Sequence, residues 1–159
     1  MELRGFGSGD AAVVAGWATS AQEVGLLSGR DEFPFPAELV GSWRKVADDI
    51  EPYLYFDGET PIGYAELWLD DEEDEVELAR IIVAPELRGK GIGTEFVRAL
   101  LGPALASGYA DLFLRVRPDN TPAIRTYLRV GFQPVADELA AEWNQNQPIQ
   151  YAWMQYPTA

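Results

Sequence analysis

Val76-Glu-Leu-Ala-Arg-Ile-Ile-Val-Ala-Pro85, followed at once by Glu86-Leu-Arg-Gly-Lys-Gly-Ile-Gly-Thr94, is an apolar stretch that runs into a glycine-rich turn and then into a helical pattern. Gly89, Gly91 and Gly93 carry no Cβ, so the backbone is free to take positive φ and to bring its N–H groups close to phosphate oxygens. A helix predicted to begin at about Ile92 adds its unpaired N–H groups and its dipole to the same attraction for anions. The segment therefore reads as strand, turn and helix built to grip a polyphosphate.

Spacing separates the known turns of this kind. A nucleotide P-loop needs Gly-Lys-Ser/Thr after four free positions, whereas Gly89-Lys90 is followed by Gly91, so that reading fails. A dinucleotide fingerprint wants G-x-G-x-x-G within a βαβ unit, but this turn reads G-x-G-x-G behind an acidic, hairpin-like connection. Gly5-Phe-Gly-Ser-Gly9 is a decoy with little strand before it, and reads as a turn into a helix capped by Asp10.

What remains is Arg88-Gly-Lys-Gly91-Ile-Gly93 behind Ile81-Ile-Val-Ala-Pro85, which resembles the acetyl-CoA signature of the GNAT superfamily of N-acetyltransferases. A second stretch resembles the same family independently. Leu112-Phe-Leu-Arg-Val-Arg117 is followed by Pro118-Asp-Asn120-Thr-Pro-Ala-Ile-Arg-Thr-Tyr127 and closed by Gly131-Phe132: a strand, an Asn opening a helix, a Tyr two turns on and a terminal Gly-Phe. The resemblance covers roughly residues 76 to 135.

It implies a single α/β domain over residues 1–159, with a mixed, mostly antiparallel sheet flanked by helices and with splayed central strands. In the family, the strand matching residues 76–84 parts from the one matching 111–117, and the pantetheine arm of acetyl-CoA lies in the gap like an extra strand. The backbone of Ile81, Ile82 and Val83 would pair with that arm, and the N–H of Ile82 or Val83 would polarise the thioester carbonyl. Arg88, Gly89, Lys90, Gly91, Ile92, Gly93 and Thr94 would hold the pyrophosphate, and Asn120 would touch the cofactor beside capping its helix. Tyr127 stands at the family's general acid, seven residues beyond Asn120 and on the same helix face. Glu77 matches the catalytic Glu of the histone-acetyltransferase branch and is the first choice of base, with Glu66 on the neighbouring strand second. The bacterial ribosomal-protein acetyltransferases carry a Glu where this chain has Arg115, which argues against importing their base or substrate. Acceptor specificity in the superfamily is made by the N-terminal helices and the last hairpin, which here offer Phe33, Phe35, Trp43, Trp143 and Trp153; Phe35 and Trp43, with Glu66, are the substrate-binding candidates.

Composition narrows the chemistry from another side. The chain has no cysteine and no histidine, which excludes disulfides, thiol nucleophiles, the Ser-His-Asp arrangement and the usual zinc sites; no metal is expected. A net charge of −14 disfavours nucleic acid and suits a cationic partner, while also keeping the protein in solution. No apolar run is long enough to span a membrane and the first residues lack a signal-peptide pattern, so a cytoplasmic enzyme is expected. The expected reaction is direct acetyl transfer from acetyl-CoA to a primary amine of a small molecule or peptide. The alternative is a non-catalytic acyl-CoA-binding sensor of the same fold. Acceptor, acyl-chain length and oligomeric state are not legible, and a homodimer is compatible with the sequence.

Outside these motifs, residues 2–6 read as a strand and Asp10 opens a helix through about Thr19. Ser20-Ala-Gln-Glu23 is a capping box starting a second helical piece that stops near Gly29, and Phe33-Pro-Phe-Pro36 breaks the chain before a helix over 37–47. Residues 52–56, the turn Asp57-Gly58 and residues 62–69 form a hairpin, and Asp70-Asp-Glu-Glu-Asp-Glu75 is expected as a solvated, self-repelling tip. Phe96, Val97, Leu100, Leu101 and Leu105 give the next helix its core stripe, with Pro103 expected to kink or shorten it. Residues 132–135 and 149–156 pair as the last strands across a long connection containing Trp143.

Overall fold

The computed structural model describes residues 1–20, 22, 23, 34, 37 and 49–158. Its strands are β1 (Glu2–Gly5), β2 (Ile50–Asp57), β3 (Thr60–Asp70), β4 (Glu75–Val83), β5 (Asp111–Val116), β6 (Gln133–Pro134) and β7 (Ala152–Tyr156). Its α-helices are α1 (Ala11–Gly16), α2 (Ile92–Ala106), α3 (Thr121–Val130) and α4 (Asp137–Trp143). The strands form one sheet in the order β1-β2-β3-β4-β5-β7-β6, antiparallel at every step except β4 to β5. This is the mixed, mostly antiparallel sheet that the motifs imply.

Two features of β4 shape the centre. Its parallel pairing with β5 lasts only from Glu75↔Asp111 to Leu78↔Leu114, although both strands run on, so they part beyond Leu78. On its other side, three steps on β4 from Ala79 to Ile82 oppose two on β3 from Glu66 to Tyr64, which is a β-bulge. Arg80 takes φ 52° within it, a left-handed conformation that a non-glycine residue holds only under constraint.

Alternation on the strands gives the sheet two apolar faces. Phe96, Val97, Leu100 and Ala104 of α2 pack against Tyr55, Ile62, Leu67, Val76, Leu78, Leu112 and Leu114. Gly63 is required here because a Cβ would lie 2.7 Å from the ring of Phe96, which in turn stacks on Tyr55 at 4.9 Å. On the opposite face Val14 and Trp17 from the α1 segment pack on Leu54, Tyr64 and Ile82. Since Tyr64 faces α1, so do Glu66 and Trp68, two and four residues on.

Local expectations needed correction at several points. α1 stops at Gly16, not near Thr19, because the Trp17 N–H closes a tight bond to Val14 O at 3.0 Å. The Asp10 carboxylate turns back to accept from the Gly7 N–H at 3.2 Å and does not cap α1. α2 continues through Pro103 to Ala106, because the proline sits in the last turn where only one backbone bond is lost; Gly108, at φ 80°, follows the end. The connection before β7 contains α4, and both last strands are shorter than expected. The acidic run is, as expected, the exposed tip between β3 and β4, and it is also braced: Asp70 Oδ1 accepts from the Glu72 and Glu73 N–H groups, Asp74 ties to Ala110 and Asp111, and the Tyr109 hydroxyl donates to Asp71. Ser20 Oγ accepts from the Glu23 N–H at 3.1 Å as a capping residue should. The breaker at 33–36 and the helix expected over 37–47 lie almost wholly outside the described residues. Among the described residues no helix is long and apolar enough to cross a membrane.

Candidate active site

Gly89 and Gly91 take φ 77° and 84°, and Gly91 is the left-handed N-cap of α2. Any side chain at these two positions would strain the backbone. The first helical bond runs from the Glu95 N–H to Gly91 O at 3.3 Å, which leaves the N–H groups of Ile92, Gly93 and Thr94 as the open donors of the helix start. Gly93 differs from the other two glycines. It has an ordinary helical φ, and a Cβ there would meet Thr126 at 3.8 Å, so it marks where α2 meets α3.

That contact joins the two motifs. Asn120 caps α3 by accepting from the Ala123 N–H at 3.4 Å, and Gly131 and Phe132 close the helix on Tyr127 O. Tyr127 is 9% exposed, its ring edge-on to Phe132, and burial pushes its phenol up to about 12. Its hydroxyl has no hydrogen-bond partner among the described residues, whereas every sealed side-chain polar atom there has one. The hydroxyl is therefore protonated and unengaged, and it is not wholly sealed in the core.

Arg88 is spent on the protein. Nε donates to Val83 O at 3.0 Å, and the two terminal nitrogens donate to the Glu23 carboxylate and Trp17 O, each at 2.7 Å. Glu23 also accepts from the Thr19 N–H and hydroxyl; burial raises its pKa, but these bonds and Arg88 outweigh that and lower it. The arginine of the turn thus fastens the end of β4 to the segment after α1.

The candidate bases lie on the α1 face. Glu66, 0% exposed, accepts from the Tyr64 hydroxyl at 2.6 Å, Trp68 Nε1 at 2.7 Å and Arg80 at 3.3 Å, so it is a strut within the sheet. Burial and this carboxylate hold the Tyr64 phenol far above its ordinary value. Glu77, 5% exposed, accepts from Arg115 through both oxygens, at 2.7 and 2.9 Å. Arg115 also donates to Gln147 at 3.1 Å and lies 4.8 Å from the ring centroid of Trp153. Glu77, Arg80 and Arg115 floor a cleft of about 590 Å³ walled by Trp68, Phe113, Trp143 and Trp153, with Asp49, Asp70 and Glu75 among its lining, while Glu66 lies buried outside it. Burial, then Asp70, Glu73, Asp111 and Glu77, push the Glu75 carboxyl up. Phe35 and Trp43 lie outside the described residues. Sequence reasoning passed over Arg80, the pairing of Arg115 with Glu77, and Asn144. The last holds the 144–153 connection by accepting from Tyr151 N–H and Trp153 Nε1 and donating to Tyr151 O. No group of acidic side chains among the described residues is arranged to hold a metal.

Comparisons with known proteins agree with this geometry. Mycothiol acetyltransferase of Corynebacterium glutamicum is 31% identical over 91 residues, which is 57% of this chain and 30% of that protein. The other first curated relatives are likewise covered over about half their length or less. Among solved structures, AAC(6')-Ib bound to paromomycin and acetyl-CoA superposes with a TM-score of 0.75 at 22% identity, over 98% of this chain and 92% of that one. A spermidine N-acetyltransferase SpeG chimera, from Vibrio cholerae and hSSAT, gives 0.73 at 22% identity, over 98% and 94%. At that identity the likeness is one of fold. The family model described as "Acetyltransferase (GNAT) family" matches residues 22–132, which include the glycine turn, the parting strands and α3, and the chain belongs to that family.

Proposed function

We propose that the protein transfers an acetyl group from acetyl-CoA directly to a primary amine of a small molecule. The observation that carries this reading is the parting of β4 from β5 beyond Leu78, followed by a glycine turn with positive φ that leads into the open N–H groups of α2. A pantetheine arm fits such a gap as a strand would, by backbone hydrogen bonds, and this asks only apolar character of Ile81, Ile82 and Val83. The amides of the turn at 89–94 take the diphosphate, with Lys90 adding charge. Arg88 shapes the turn through Val83 O and does not reach for phosphate. Asn120 lies at the start of α3 and Tyr127 two turns on.

In the transfer step the neutral amine attacks the thioester carbonyl, the C–N bond forms, the C–S bond breaks and the amine sheds a proton. The departing thiolate takes a proton from the Tyr127 hydroxyl. With a pKa near 10.4, roughly one alkylamine in a few thousand is neutral at pH 7, so a route for that proton matters.

The cleft on the α1 face is the acceptor site. Its aromatic walls and its surplus of carboxylates over guanidinium groups suit an amine with more than one positive charge. Two structural neighbours support that choice, one bound to paromomycin and one named for spermidine. The engagement of both Glu66 and Glu77 favours one other reading, an acyl-CoA-binding sensor without a working base. Thiol release from acetyl-CoA, measured against a panel of mono-, di- and polyamines and peptide amines, decides between them. Amine-dependent release slowed about 100-fold by Tyr127→Phe, with acetyl-CoA affinity within about twofold, is expected. Tight binding with no release from any amine contradicts the transferase.

A further inference from the structure

Glu77 stands one row before the end of the β4–β5 pairing, opposite Phe113, and Arg115 is the first residue of β5 beyond it. Their paired hydrogen bonds, at 2.7 and 2.9 Å, therefore cross from one strand to the other where the gap opens. The fork of the guanidinium matches the two carboxylate oxygens, which fixes direction as well as distance. Arg115 is in turn held by Gln147 Oε1 at 3.1 Å and by the ring faces of Trp153, Tyr151 and Trp68 at 4.8, 5.6 and 6.0 Å. The Glu77 side chain is 7% exposed and that of Arg115 29%, so water screens the pair only in part. The pair holds the Arg115 pKa up, chiefly through the hydrogen bond that Arg115 donates to Glu77.

A general base must offer a lone pair to the amine proton and then carry that proton. Glu77 keeps lone-pair sites beyond its two bonds from Arg115, but carrying a proton there would remove the charge that holds Arg115 in the cleft floor. We propose that Glu77 and Arg115 are positioning residues: their ion pair pins the vertex at which β4 and β5 part, and so sets the width and register of the gap that receives the thioester. This rests on the acetyltransferase reading and assigns the amine's proton to water in the cleft, with Tyr127 still protonating the thiolate and recovering its proton from solvent.

The test uses Glu77→Gln, Arg115→Met and the exchanged pair Glu77→Arg/Arg115→Glu in the full chain. If Glu77 were the base, Arg115→Met would free it and keep or raise turnover, and Glu77→Gln would abolish the acidic limb of the kcat profile at a cost of about 10²–10⁴-fold. A positioning pair predicts the reverse. Arg115→Met lowers kcat at least about tenfold, Glu77→Gln costs less and keeps the acidic limb, and the exchanged pair recovers most of the loss. Acetyl-CoA affinity by calorimetry and hydrogen exchange of the 79–83 and 115–116 amides give a readout that needs no acceptor. Weaker binding and faster exchange in Arg115→Met are expected even if the wild type transfers to no amine, which would sink the transferase reading alone. Unchanged affinity and exchange in Arg115→Met, or loss of the acidic limb in Glu77→Gln, overturns the positioning role.

Discussion

Tyr127 is the residue whose chemistry and burial can be checked together. Its phenol is raised to about 12, against about 10 in an unfolded chain, so above pH 10 the unfolded state loses a proton that the folded state keeps. The stability tied to that proton is complete below pH 10 and is lost as pH rises towards 12, by about 3 kcal/mol for a two-unit shift. Tyr53, also at about 12 through burial and then Glu51, adds to the same alkaline fall. Urea unfolding between pH 9 and 12 should therefore show a shallower decline in Tyr127→Phe than in wild type, and identical slopes would contradict the burial argument. Tyr127 and Asn120 were legible because their spacing lies within one helix. The partner of Glu77 was not, because Arg115 lies 38 residues away and meets it only through strand pairing. Arg88 was legible as part of the turn, but not as the clamp on Trp17 O and Glu23, residues 71 and 65 positions earlier.

Among the elements, β3 and β4 decide the geometry of the site. Their hairpin was legible from the acidic run 70–75 read as its tip, whereas the bulge at Arg80 was not, because a charged residue within a strand does not by itself signal an extra residue in the pairing. Gly63 likewise reads as an unremarked residue within a strand until Phe96 is seen against it. Gly63→Ala should cost about 1–3 kcal/mol, because a methyl 2.7 Å from a fully buried ring must push it out of its stack on Tyr55. Denaturant midpoints measure this, and a loss under about 0.5 kcal/mol would mean that the α2 contact gives way easily. The short helix α4 escaped the sequence reading because it shows no long apolar period; Trp143 at its end packs on Phe113 and Trp153 at 5.4 and 5.3 Å.

For the whole molecule, charge would separate the two substrates of the proposed reaction. The net charge of −14 would repel an anionic coenzyme at long range, while the carboxylates of the cleft would attract a cationic acceptor. Added salt screens both effects, since the Debye length shrinks from about 10 Å at 0.1 M to about 3 Å at 1 M. The KM for a diamine should rise several-fold over that range while that for acetyl-CoA holds or falls, and a fall for the diamine would count against the acidic cleft as its site. The overall architecture was legible because two independent motifs fix two strands and two helices in order, and the family they resemble implies the sheet around them. The central claim is that the opening between β4 and β5 and the amides of the turn receive acetyl-CoA. Amide-resolved NMR during an acetyl-CoA titration tests it most directly: the account predicts the largest shifts at residues 81–83 and 89–94. No shift at millimolar acetyl-CoA, or shifts confined to other parts of the sheet, would contradict it.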